Sequence, residues 1–159
     1  MRSRSLFAMI LLAAPALAFG EDEDAKAMAA AKETLDRGAE LFDKRDAKAM
    51  AATFLEDAEI LLIKHDSDSG RIVIDARRGR AEIEKAYDEI FKDRAPEHRC
   101  RNTVESARFL APDLLLIRGK FSLNVDQDDS LQFVQVRARE GDHWKVVTMQ
   151  LLELPDRNP

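Results

Sequence analysis

The spacing of apolar residues divides the chain into a helical first part and a sheet-forming second part. From Ala25 to Lys44, the residues Met28, Ala31, Leu35, Gly38 and Phe42 recur three and four places apart, with charges between them. That is the period of an amphipathic helix. Asp46 stands as an N-cap for a second helix over Ala47 to about Leu55, with Met50, Ala51, Phe54 and Leu55 as its apolar stripe. At Glu59 the period changes. EILLIKH and RIVIDA read as two strands of a small hairpin around the turn HDSDSG. Residues 81–93 predict a third helix, with Ile83, Ala86, Tyr87, Ile90 and Phe91 on one face and Pro96 beyond its end. The remainder alternates as a four-stranded antiparallel meander: Thr103 to Ala111, Leu114 to Val125, Leu131 to Arg139 and His143 to Leu154. The acidic loop DQDD separates the middle two strands. Helices first and strands later predict an α+β domain.

The last strand, in GDHWKVVTMQLLELP, carries the only Trp. Strict alternation puts Trp144, Val146, Thr148, Gln150 and Leu152 on one face. Lys145, Val147, Met149 and Leu151 fall on the other. Buried polar groups without partners are costly. A face that mixes Trp with a hydroxyl and an amide is therefore expected to line either a core with hydrogen bonds or a pocket, and the pocket is the reading taken. Val147, Met149 and Leu151 would then give the outer sheet face an apolar patch.

The N-terminus changes the compartment expected. MRSRSLFAMILLAAPALA has two arginines, an apolar run and an Ala-Leu-Ala end. This is the pattern of a cleaved signal peptide over residues 1–18. It predicts a periplasmic or secreted protein with no membrane segment after cleavage. Residues 19–24, FGEDED, are expected to be a flexible acidic terminus, 25–155 a single domain, and 156–159 a tail. Removing Arg2 and Arg4 with the leader takes the formal charge from −5 to −7. An acidic domain offers no basic surface for nucleic acid. The single Cys100 cannot form an intrachain disulfide and reads as a buried thiol.

In combination these elements resemble the nuclear transport factor 2-like superfamily, within it the SnoaL-like and kinase association-domain-like branches. Four stretches carry the resemblance. Lys44-Arg45-Asp46 stands at the break between the first two helices. AATFLEDAEILL is similar to the family's entry into its first strand. RRGRAEIEKAYDEIF is similar to its Gly-led third helix, and DHWKVV to its C-terminal turn, Trp and strand. The resemblance covers nearly all of the chain after the leader. It implies a cystatin-like cone: three N-terminal helices packed on a curved antiparallel sheet, with a small hairpin between helices 2 and 3. It also implies a pocket at the open end and a homodimer through the outer sheet face. Members of such folds include enzymes, binders and assembly units, so fold does not settle function.

A steroid-isomerase-like site would need a base near Leu62 and a Tyr near Gly38, and neither residue can serve. Asp57 reads either as a polar pocket group or as a cap at the end of the second helix. Tyr87 reads either as a core aromatic or as an acid reaching the pocket. Together they are the weak catalytic candidates of a cofactor-free lyase or isomerase. Arg118 is an anion ligand if it faces inward and sheet surface if outward. The expected ligand-binding set is Trp144, Thr148, Gln150, Tyr87, Asp57, Phe54 and Arg118. Two basic clusters, Arg77, Arg78, Arg80 and His98, Arg99, Arg101, could gather at one rim and attract an anion. Asp66-Ser67-Asp68-Ser69-Gly70 has the Asp-x-Asp look of a calcium loop, but its twelfth position is Arg77 and its flanks are strands. No metal site or cofactor is expected. The reading is a small-molecule-binding or assembly domain, with an organic or anionic ligand. The alternatives are the enzyme just described and a purely structural homodimer with a filled cone.

Overall fold

Helix α1 (Ala18–Asp43) leads into the short α2 (Ala47–Ala52), and strands β1 (Phe54–Asp66) and β2 (Arg71–Arg78) follow. Helix α3 (Arg80–Asp93) precedes β3 (Arg101–Ala111), β4 (Leu114–Ser122), β5 (Ser130–Glu140) and β6 (His143–Glu153). The computed structural model describes residues 18–66, 68–125 and 130–153. Residues 1–17 of the expected leader, the acidic loop 126–129 and the tail 156–159 lie outside the described residues. The six strands form one curved sheet in the order β2-β1-β6-β5-β4-β3. The helices pack across it, giving an α+β cystatin-like architecture.

Three expectations are corrected. The sheet is mixed rather than antiparallel, because β6 takes the free edge of β1 and runs parallel to it. The expected hairpin between α2 and α3 is the antiparallel β1–β2 pair, and it forms one end of this same sheet. The second helix stops at Ala52. Thr53 closes it with a 2.7 Å hydrogen bond from Oγ1 to the Met50 carbonyl, and the Thr53 carbonyl then accepts from the Val146 amide at 2.9 Å. Phe54 and Leu55 therefore belong to β1. Helix α1 also takes in the acidic stretch 19–24. Acidic residues suit a helix N-terminus, and Asp22 pairs with Lys26 one turn on at 2.5 Å.

The break between α1 and α2 falls where the sequence placed it. Arg45 adopts the left-handed conformation (φ 56°), and Asp46 accepts from the Ala49 amide at 2.9 Å as N-cap. Beyond the third helix, Arg94 ties the layers together. Its Nη2 donates to Asp43 Oδ1 at 2.9 Å, to the His98 carbonyl at 2.8 Å and to the Leu123 carbonyl at 3.2 Å. Asp43 Oδ1 also accepts from the Cys100 amide at 3.0 Å. The end of α1, the segment after α3 and the end of β4 are thereby held at one point.

Two apolar clusters fill the space between layers. One joins α2, α3, β1 and β6 around Phe54, Ile83, Tyr87 and Val146, with Phe42 of α1 set edge-on to Tyr87, Phe91 and Phe121. The other packs Ala27, Ala31 and Leu35 of α1 on Leu115, Ile117 and Phe133 of the sheet. Phe121 and Leu151 touch both. The cone remains open between the clusters.

Candidate ligand pocket

A cavity of about 470 Å³ opens between α1, α2, α3 and the inner face of the sheet. Its walls are mainly apolar: Leu35, Phe42, Met50, Phe54, Phe133 and Leu151 among others. Strand registers decide which side chains reach it. Along β5, Phe133, Gln135 and Arg137 alternate inward and are buried. Along β6 the alternation is interrupted. Arg137 is opposite Val146, but the next residue back, Val136, is opposite Thr148. Val147 is an extra residue, a bulge, and a bulge exchanges the faces of everything beyond it. Trp144 and Val146 face inward before the bulge, and Met149 and Leu151 after it.

This corrects the strict alternation read from the sequence. Thr148 and Gln150 leave the Trp144 face and lie on the outer side of the sheet, opposite Val136 and Val134. Met149 and Leu151 move inward and cannot form the outer patch assigned to them. Asp57 is exposed in an irregular stretch of β1 between the paired residues Phe54 and Glu59, so it supplies no pocket base. Arg118 is exposed on the outer face between Ser106 and Val134. Trp144, Tyr87 and Phe54 do line the cavity.

The two basic clusters do not gather at its rim. Arg77 pairs with Asp75, Arg78 with Glu59 at 3.4 Å, and Arg80 with Glu56 at 2.8 Å. Arg80 Nη2 also donates to the Phe54 carbonyl at 2.8 Å. None of these arginines lines the cavity, nor do His98, Arg99 and Arg101. The filled cone of a purely structural dimer is not observed either.

The polar end of the cavity is built around a residue the sequence reading passed over. Arg137 is only 5 % exposed. Its Nε donates to Gln135 Oε1 at 2.9 Å, and its Nη1 to Thr34 Oγ1 at 2.9 Å and to the Trp144 carbonyl at 3.2 Å. Every one of these acceptors is neutral, and no Asp or Glu among the described residues pairs with the guanidinium. Burial pulls its pKa down from 12.5 to about 10, leaving it charged at neutral pH. Tyr87 also lines the cavity, and burial drives its pKa well above the ordinary value, with Arg137 opposing the rise. Its hydroxyl therefore stays protonated and serves as a donor, not a base. Gln135 is held in turn, its Nε2 reaching the Met149 sulfur at 3.2 Å. The sequence signal was present in SLQFVQVRARE. Gln135 and Arg137 share a face with Phe133, and a strand that places charge two residues from a core aromatic marks a polar pocket wall.

No family model matches the chain, and no curated protein matches it. Solved structures do. An NTF2-like protein of unknown function from Shewanella oneidensis matches with a TM-score of 0.61 at 16% identity, over 79% of this chain and 98% of that one. A cystatin-like domain of unknown function from Nostoc punctiforme gives 0.60 at 16% identity, over 83% and 80%. A protein provisionally named a scytalone dehydratase, from Novosphingobium aromaticivorans, gives 0.61 at 15% identity, over 82% and 86%. At this identity the likeness establishes architecture, and the chain has the nuclear transport factor 2-like, cystatin-like fold.

Proposed function

We propose that this chain is an exported small-ligand-binding domain whose site is the cone pocket. The observation that carries the reading is the cavity itself, with apolar walls and a few convergent polar groups held by their own hydrogen bonds. Such a layout suits small organic molecules. The polar lining is made of hydrogen-bond donors, amides and the His143 imidazole, whose Nδ1 lies 3.4 Å from Arg37 Nη1, with no carboxylate among the described lining residues. That composition favours holding a molecule over proton abstraction. The lyase or isomerase alternative loses its base with Asp57 on the surface. Export is supported by the leader pattern of residues 1–18.

Gly38 offers a direct test. It lines the cavity, and a Cβ built there meets nothing within 4 Å. Gly38→Leu would place an aliphatic side chain into the cavity from the α1 side. Native mass spectrometry against a metabolite panel should find a ligand retained by the wild type and lost by Gly38→Leu. Equal retention by both proteins would overturn the pocket assignment.

A homodimer through the outer sheet face is the companion proposal. Ile72 and Ile74 on β2 are 62% and 59% exposed. Ile74 lies opposite Ile63, and Ile63 opposite Leu152, so an apolar row crosses the outer face.

A further inference from the structure

Arg137 asks for a particular kind of ligand. The inference rests on the pocket reading above and narrows it to a chemical class. Burying a guanidinium away from any carboxylate is unfavourable unless its protons are well used. Here Nε and Nη1 are used by neutral acceptors, while Nη2 has no acceptor among the described residues and Arg137 borders the cavity. Tyr87 lines the same cavity, and its hydroxyl stays protonated within electrostatic reach of that charge. Thr34 and Gln135 fix the guanidinium in place, so its orientation is set before any ligand arrives. The rest of the wall is mainly aliphatic and aromatic, with Arg37, Thr53, Asn102, His143 and Lys145 as its other polar members.

We infer that the pocket binds a small monocarboxylate with an apolar body, its carboxylate against the Arg137 guanidinium and the Tyr87 hydroxyl and its body against the Phe42, Phe54 and Phe133 walls. One buried positive charge balances one negative charge. A dianion such as a phosphate monoester would leave a second charge uncompensated in an apolar cavity. The other cations that border the cavity do not alter this count. Lys145 is already paired with Glu140 at 2.5 Å, and Arg37 is at the surface, 3.4 Å from His143 Nδ1.

Trp144 is the only Trp and borders the cavity, so its fluorescence reports occupancy directly. The full chain without its leader would be titrated with straight-chain carboxylates from hexanoate to dodecanoate and with phenylalkanoates. Each would be compared with its own primary amide, which has nearly the same shape and no charge. At least one carboxylate should saturate the signal and bind about tenfold or more tighter than its amide. Arg137→Met should abolish that preference while the amide still binds. The comparison within the wild type decides the matter even if the variant does not fold. Amides binding as tightly as acids would overturn the ligand class and leave the pocket standing. Loss of all binding, with Gly38→Leu indistinguishable from wild type, would overturn the pocket reading as well.

Discussion

Arg137 and Gln135, two residues apart on one face of β5, are joined by a 2.9 Å hydrogen bond from the guanidinium Nε to the amide oxygen. The spacing is the period of the strand, so both side chains enter the same buried layer. Gln135 thereby orients a charge that no acidic residue among the described ones balances. An arrangement of this kind favours binding at the expense of stability. Moving the Arg137 pKa from 12.5 to about 10 represents a burial cost on the order of 3 kcal/mol. Arg137→Met keeps the bulk and removes the charge. It should raise the unfolding free energy in urea by about 1–3 kcal/mol. A loss of stability would show that the guanidinium's hydrogen bonds outweigh its desolvation.

The Arg94–Asp43 pair should behave in the opposite way. Arg94 also sits over the Phe42 ring, 4.7 Å from its centroid, and spans three chain segments. Arg94→Met strips the counter-charge from Asp43 and three acceptors of their donor. It should destabilise the protein by about 3 kcal/mol, read from the same urea transition. A change below about 1 kcal/mol would mean that water substitutes for the guanidinium at this junction.

Two glycines should give opposite signs. Gly119 in β4 is buried, and a Cβ there would strike the Thr103 carbonyl and approach Phe133 Cζ to 2.9 Å. Gly119→Ala should cost about 2 kcal/mol or more, through overpacking. Gly38 in α1 has open space where its Cβ would be, so Gly38→Ala should stabilise the helix by about 0.5–1 kcal/mol. Thermal melts of the two variants should move in opposite directions.

Cys100 supplies a pH dependence. Burial, then the Asp43 carboxylate beside it, pushes its thiol up from 9.0 to about 12. The folded state holds this proton more tightly than the unfolded state does. Its contribution to stability is complete below about pH 9 and is lost as the pH rises from 9 towards 12. Urea midpoints should fall through that window, and Cys100→Ala should flatten the fall. For the same reason iodoacetamide at pH 8 should leave the native thiol unmodified and alkylate it only on unfolding. Rapid labelling of the native protein would contradict its burial.

The outer-face dimer predicts a concentration-dependent mass. Ile74→Lys places a charge at the β2 end of the apolar row that runs through Ile63 to Leu152. Sedimentation at micromolar concentration should show wild-type dimer and variant monomer. A wild-type monomer across that range would remove the dimer proposal.

Local patterns carried much of the fold. The period of α1, the Asp46 cap, the Gly-led α3 and the strand alternation are short-range features, set by neighbours three or four residues away. Their combination was enough to identify the cystatin-like architecture. The extent of α2 was misread because Phe54 has an apolar-stripe spacing in sequence, whereas its pairing partner Val146 lies far along the chain. No local signal distinguishes the two.

The site divides along the same line. The apolar wall was legible at Phe54, Tyr87 and Trp144, because large aromatics in amphipathic patterns seldom stay outside. The polar wall was not. One extra residue at Val147 moved Thr148 and Gln150 to the outer face and brought Met149 and Leu151 inward. A bulge is fixed by how two strands and their packing layers fit together, so alternation read along one strand cannot reveal it. The sequence by itself determined the elements, their order and the presence of an aromatic-lined cone. Only the tertiary structure decided that the buried charge in that cone is Arg137, because burial without a counter-charge is a property of what surrounds a residue in space.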